Sequence, residues 1–269
     1  MKKIAIITGA SSGMGKEFAR QLYLKNDSDY EIWMISRNLE KLENAMQDVV
    51  REKKSSCAIK VFSLDISGES GVWKFKELFL REKASEDFKI DFLINNAGFG
   101  TYGPFEETPL VRELEMIDLN CTSLTGICGV VLPYLEQGSK IINVASLASF
   151  LPLGNFAVYA ATKAYVLSFT VALAAELKEK GVKVTALCPG SVSTDFANVA
   201  SNGARKEVLH GKDPVKVVAH CLKKSQKGKL IVLWALKWKI TAFMSHFVSR
   251  YAGARYTYLF NKRPYDNSK

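Results

Sequence analysis

Short apolar runs alternate with longer amphipathic stretches from the first residues onward. IAIIT (4–8), EIWMIS (31–36), IKVFSL (59–64), DFLIN (91–95), IINVA (141–145), VKVTAL (182–187) and KLIVLW (229–234) are apolar at consecutive positions more than at alternate ones. A strand that is apolar on both faces must be covered on both faces, and intervening helices place such strands in one parallel sheet. The pattern predicts an α/β, doubly wound fold with a seven-stranded parallel sheet and helices on both faces. Ligands are then expected at the carboxyl ends of the strands. No linker rich in Pro, Gly or Ser divides residues 1–269, which predicts one domain carrying a C-terminal extension at 235–269.

Small and polar residues gather where these runs end. After the first comes TGASSGMG (8–15), in which Gly9, Gly13 and Gly15 allow a sharp turn and close approach to a pyrophosphate. That charge is favoured at the N-terminus of the following helix. Ser11, Ser12 and Met14 lie inside the turn. The second run ends at Ser36 and is followed by Arg37 and Asn38 where an acid would hold a ribose 2′-hydroxyl. A guanidinium there suits a 2′-phosphate and favours NADP(H), with Ser11 or Ser12 assisting. Asp65 and Ile66 close the third run, with Asp65 either beside an adenine or capping the next helix. The fourth runs into NNAGFG, which brings Asn96, Ala97 and Gly98 to the same edge, and the fifth ends in NVAS, which adds Ser146.

The stretch FAVYAATKAYVLSF (156–169) reads as an apolar helix with Tyr159 and Lys163 four apart on one face. A buried phenol and ammonium need partners, and a crevice holding a ligand supplies them. A free tyrosine, with a pKa near 10, becomes useful in acid–base work when a neighbouring cation favours its anion. Asn120 lies on the helix preceding the fifth strand.

In order and spacing, TGASSGMG, Asp65, NNAG, Asn120, Ser146, the Y-x-x-x-K of Tyr159 and Lys163, and Pro189-Gly190 followed by Thr194 resemble the short-chain dehydrogenase/reductase family. The similarity is to its compact form, over most of residues 1–235. It implies a Rossmann-type fold and hydride transfer between NADP(H) and a secondary alcohol or ketone. It also implies a catalytic set of Asn120, Ser146, Tyr159 and Lys163. Tyr159 would exchange the proton, Lys163 would also hold the nicotinamide ribose, Ser146 would bond the substrate oxygen, and Asn120 would keep a relay water behind Lys163. By the same resemblance the cofactor would touch Gly9, Ser11, Ser12, Gly13, Met14, Gly15, Ser36, Arg37, Asn38, Asp65, Ile66, Asn96, Ala97, Gly98, Tyr159, Lys163, Pro189, Gly190, Val192 and Thr194, the last two at the carboxamide. Arg37 resembles the NADP-preferring members. Lys163 separates the chain from relatives that carry arginine there for non-redox chemistry. Pairing through the Tyr159 helix into a homodimer or homotetramer is implied too.

Phe99, Tyr102, Phe105, residues 147–156 and Phe196 form an apolar set suited to a bulky hydrophobic alcohol or ketone. Within the family this resembles hydroxysteroid-type members, so a steroid or bile acid is expected first and an acyl-chain ketone, ketoacyl or ketosphingoid, second. A non-catalytic NADPH-binding regulator is the rival of another class, and the intact catalytic set argues against it.

Composition narrows the rest. Apolar residues at 48% and charged residues at 24% are globular usage. Five scattered cysteines without a C-x-x-C pair predict reduced thiols and a cytoplasmic setting, and three unclustered histidines predict no metal site. No run approaches 18 uninterrupted apolar residues, so no transmembrane helix is expected. The net charge of +10 is uneven: residues 212–269 hold 13 Lys or Arg against Asp213 and Asp266, leaving −1 for residues 1–211. Within the tail, Ile240, Phe243, Met244, Phe247 and Tyr251 fall at helical intervals among basic residues. This predicts a basic amphipathic helix acting as a lid, a subunit interface or a peripheral membrane contact. No nucleic-acid partner is expected, since no binding module accompanies the charge.

Overall fold

A computed structural model of the chain describes residues 1–51, 55–206, 208, 210–266 and 268. The strands are β1 (Lys2–Thr8), β2 (Tyr30–Ser36), β3 (Ala58–Ser63), β4 (Phe88–Asn95), β5 (Lys140–Val144), β6 (Lys183–Leu187) and β7 (Ile231–Val232). They form one sheet in the order β3-β2-β1-β4-β5-β6-β7, every neighbouring pair parallel. Strand order reverses between β1 and β4, which opens a crevice beyond their carboxyl ends.

Side-chain alternation feeds two separate cores. In β1, Ala5 and Ile7 join one cluster and Ile4 and Ile6 the other; in β2, Ile32 and Met34 oppose Trp33 and Ile35. The first core is closed by α1 (Gly13–Lys25), α2 (Leu39–Arg51) and α8 (Pro214–Gln226), through residues such as Phe18, Leu42 and Val218. The second is closed by α3 (Gly68–Ser85), α5 (Leu124–Val131) and α6 (Ala157–Glu176), through Phe75, Ile127 and Val166. Between α4 (Leu110–Ile117) and α5 the helix widens into a π turn at Asp118–Ser123, which carries Asn120, and the short α7 (Phe196–Ala200) follows β6. Leu110–Tyr134 and Ala157–Glu176 are long and apolar enough to cross a membrane, by length and composition. Here both flank the sheet.

Two elements depart from the sequence reading. The seventh run, expected at 229–234, keeps only Ile231 and Val232 in the ladder, because beyond them the chain leaves the sheet for the tail. The tail is not one helix but two: α9 (Leu236–Met244), a 3-10 turn at Ser245–Phe247, then α10 (Arg250–Phe260) after an extended Val248. Its inward-facing side is made by Trp238 and Ala242, each 5% exposed, while the stripe Ile240, Phe243, Met244, Phe247 and Tyr251 points outward, 49% to 77% exposed.

Candidate active site

The crevice at the switch point has a volume of about 980 Å³. Its floor begins with the turn after β1, where Gly9 has φ 65° and Gly13 φ 52°, left-handed values that favour glycine. An added Cβ on Gly9 would lie 2.9 Å from the Ala97 Cα, so the turn lets the loops after β1 and β4 meet. Asn96 ties them, donating through Nδ2 to the carbonyls of Thr8 and Gly9, both at 3.1 Å.

At the end of β2 the hydroxyls of Ser11 and Ser36 lie 2.9 Å apart. Arg37 stands exposed beside them on the wall, and no described carboxylate pairs with it. Asp65 also lines the wall and accepts from the Ser67 amide at 3.0 Å, so it shapes the entry to α3 while facing the crevice. Ser12, Met14, Ile66, Gly98, Pro189, Gly190, Val192 and Thr194 line the same space.

Three expected residues do not. Gly15 is a packing glycine, since a Cβ there would meet the Gly9 carbonyl oxygen at 2.1 Å. Asn38 accepts from the Lys41 amide at 2.8 Å and caps α2. Asn120 is buried behind the wall with its amide spent inside the protein: Oδ1 accepts from Phe99 N at 3.1 Å, and Nδ2 donates to Phe99 O at 2.9 Å and Thr162 Oγ1 at 3.0 Å. Its side chain therefore braces the loop after β4, with both amide N–H bonds spent within the protein.

Ser146, Tyr159 and Lys163 do converge. Along α6 the buried positions Tyr159, Lys163, Val166, Thr170 and Leu173 repeat at three or four, which turns the phenol and the ammonium inward together. Lys163 Nζ donates to Val144 O at 2.8 Å and sits 5.8 Å from the Tyr159 ring centre. Ser149 Oγ donates to the Lys163 carbonyl at 2.7 Å, and the Ser146 hydroxyl accepts from the Ala148 amide at 3.1 Å.

Burial governs the charges. It pushes the Tyr159 hydroxyl well above its ordinary range, opposed by a hydrogen bond with Ser146, and it pushes Lys163 down to about 8. The lowering of the tyrosine expected from Lys163 is thus not delivered by the protein alone. Tyr159 holds its proton in this state.

The pocket next to that hydroxyl is aromatic. Phe156 stacks on Tyr159 at 4.1 Å with an interplanar angle of 18°, Tyr102 meets Phe156 edge-on at 4.9 Å, and Phe196 leans on Tyr159 at 5.4 Å. Phe99, Leu151 and Leu153 continue the wall, as expected, whereas Phe105 is outside it and 58% exposed. The tail supplies more lining than sequence reasoning assigned, namely Trp238, Thr241, Thr257, Asn261 and Arg263. Asn155, at φ 59°, clasps the tail by donating through Nδ2 to the carbonyls of Thr257, Tyr258 and Asn261 at 3.0 to 3.2 Å. A Gly-Asn pair is a turn signal, but it does not name the distant segment the turn will hold. Among the described residues no group of His, Cys, Asp and Glu could hold a metal ion.

Comparison with known proteins agrees with this geometry. The family described as short chain dehydrogenase matches residues 3–204. A very-long-chain 3-oxoacyl-CoA reductase of Pyrenophora tritici-repentis is 28% identical over 255 residues, covering 93% of this chain and 72% of the relative. The type 3 17-beta-hydroxysteroid dehydrogenase of Mus musculus is 30% identical over 210 residues, 77% of this chain and 65% of the relative. Among solved structures, a short-chain dehydrogenase from Sphingobium yanoikuyae in complex with NADPH superposes with a TM-score of 0.77 at 26% identity, over 92% of this chain and 94% of that one.

Proposed function

The chain belongs to the short-chain dehydrogenase family and is an oxidoreductase, and we propose that it uses NADPH to reduce a ketone carried on a bulky apolar body, or runs the reverse oxidation. The observation that carries this reading is a buried, protonated Tyr159 facing an aromatic pocket, with Ser146 and Lys163 beside it.

When bound, the dinucleotide supplies the hydride. The crevice fits it: the glycine turn after β1 exposes backbone amides at the start of α1 for a pyrophosphate, and Thr194 and Val192 line the far end for the carboxamide. Arg37, with no described carboxylate on it, and the Ser11–Ser36 pair suit a 2′-phosphate, in keeping with the NADPH in the Sphingobium yanoikuyae structure. In reduction Tyr159 would give its proton to the carbonyl oxygen, which the Ser146 hydroxyl would hold. Burial keeps Tyr159 protonated, as this direction requires, and the proton is then restored from solvent.

A hydroxysteroid or bile-acid ketone is the first reading of the substrate. An acyl-chain ketone is the second, supported by the similarity to the 3-oxoacyl-CoA reductase over 255 residues. The deciding experiment follows NADPH absorbance with keto-steroids, keto bile acids and ketoacyl thioesters. Tyr159→Phe should bind NADPH yet lose ~10²- to 10⁴-fold in kcat, the usual worth of a general acid. Near-wild-type turnover in that variant overturns the mechanism, and tight NADPH binding without oxidation across the panel favours a regulator.

A further inference from the structure

Arg263 comes from the tail and has no part in hydride transfer. Its guanidinium lies 5.0 Å from the centre of Phe156, whose ring stacks at 4.1 Å on Tyr159, so one aromatic ring separates the cation from the proton donor. It spends one donor on the Gly154 carbonyl at 3.2 Å, and no described carboxylate pairs with it. A guanidinium has five N–H donors. A second cation is drawn to the same place: Arg205 and Arg263 lie 5.9 and 6.0 Å from the Tyr102 ring. Arg112, also on the wall, differs in having the Glu113 carboxyl close enough to be influenced by it. Arg205 is exposed, lies outside the crevice wall and donates to the Lys262 carbonyl at 3.0 Å, so it adds positive charge beside Arg263 without occupying its donors, and a half-buried guanidinium with donors to spare and no described carboxylate is unfavourable unless an anion joins it.

We propose that Arg263 holds an oxyanion of the substrate, a carboxylate, sulfate or phosphate, while the carbonyl of the same molecule lies at Tyr159. This deepens the reading of the crevice as a ketone site and rests on it. The substrate is then an amphiphile with an apolar body and an anionic group a short span from the reacting carbon.

The test uses the full-length enzyme with NADPH and a series of alkyl keto acids of increasing carbonyl-to-carboxylate spacing, each beside its methyl ester. KM from NADPH oxidation and Kd from calorimetry are measured for wild type, Arg263→Gln and Arg263→Lys. Wild type should prefer the acid over its ester by roughly 10- to 100-fold at one spacing, the worth of a charge-assisted pair. Arg263→Gln should bring that ratio toward one, and Arg263→Lys should restore part of it. An equal loss for acid and ester makes Arg263 a clasp for the tail and overturns the proposal, as does a wild-type ratio near one at every spacing. If Arg263-dependent binding of the acids appears without turnover, the proposal stands and the reductase reading fails.

A separate observation concerns the tail's outer side. Leu236, Ile240, Phe243, Phe247, Tyr251, Tyr256 and Phe260 are 53% to 77% exposed, and Lys237, Lys239, Arg250, Arg255 and Lys262 stand among them. Residues 214–265 contain no Asp or Glu at all. Apolar rings with cations and no carboxylates complement an anionic lipid surface in both respects. We infer that this face docks on such a membrane, so that the substrate mouth, framed by the same two helices, opens near the lipid.

Flotation with phosphatidylserine-containing and phosphatidylcholine vesicles tests it. Binding to the anionic vesicles should weaken in high salt and be lost in Phe247→Glu and Tyr251→Glu. Failure to float, or equal association with both lipids, overturns the inference. So does a dimer in sedimentation velocity that these substitutions dissolve without altering flotation.

Discussion

Lys163 shows what one buried residue costs and gains. The residue is 5% exposed, its ammonium donates to the Val144 carbonyl, and burial drops its pKa from 10.5 to about 8. Such a drop corresponds to about 3 kcal/mol of destabilisation while the lysine is charged in both states. The unfolded chain binds the extra proton between pH 8 and 10.5, so over that window the lysine's contribution makes stability rise with pH. Lys163→Met should therefore abolish turnover and remove that slope. In urea melts, the stability of the variant minus that of wild type should fall by about 3 kcal/mol from pH 8 to 10.5, whatever constant offset the lost Val144 bond adds. A difference independent of pH would mean that the lysine keeps its proton in the fold as firmly as in the unfolded chain, held by a partner. The Tyr159 environment works in the opposite sense, holding its proton on, which suits a donor.

At the scale of elements, the tail is where structure and sequence part. The strands and the site at their ends were legible because continuous apolar runs have few other uses and because Gly9, Ser146, Tyr159 and Lys163 sit at fixed distances from those runs. The tail offered a helical period but no sign of which side would meet the enzyme. Trp238 and Ala242 took the inner face, and the more obvious stripe was left outside. The docking depends on Gly154, which a pattern of hydrophobicity cannot reveal. A Cβ there would lie 2.5 Å from the Tyr258 Cβ and 2.7 Å from the Ala254 carbonyl oxygen, both on α10. The Gly154 amide also donates to Thr257 Oγ1 at 2.8 Å. Gly154→Ala should push α10 off the body at an overpacking cost of ~1–3 kcal/mol. The expected result is a KM for the ketone raised about 10-fold or more at nearly constant KM for NADPH, with faster proteolysis near residue 250. A variant with unaltered KM and cleavage would show that α10 does not shape the pocket.

Across the whole molecule, the two ends of the crevice are set by segments more than 200 residues apart, the loop after β2 with Arg37 and the tail with Arg263. Both segments line the crevice, where a ligand would bridge them to the sheet. Ligand binding to the folded state alone stabilises it by RT ln(1 + [L]/Kd), about 2.7 kcal/mol at 100-fold Kd. For a chain of this size that should raise Tm by roughly 5–10 °C. Because Arg37 is exposed and has no described carboxylate to lose, Arg37→Ala should leave the unliganded Tm nearly fixed. Its effect should fall on the cofactor: NADPH at a fixed concentration should lose most of its advantage over NADH, with Kd for NADPH rising ~10- to 100-fold and Kd for NADH little altered. Thermal melts of both proteins with both dinucleotides measure this directly. An equal shift from NADH and NADPH in the wild-type protein would remove the 2′-phosphate from the role of Arg37, and with it the assignment of NADPH as the working cofactor.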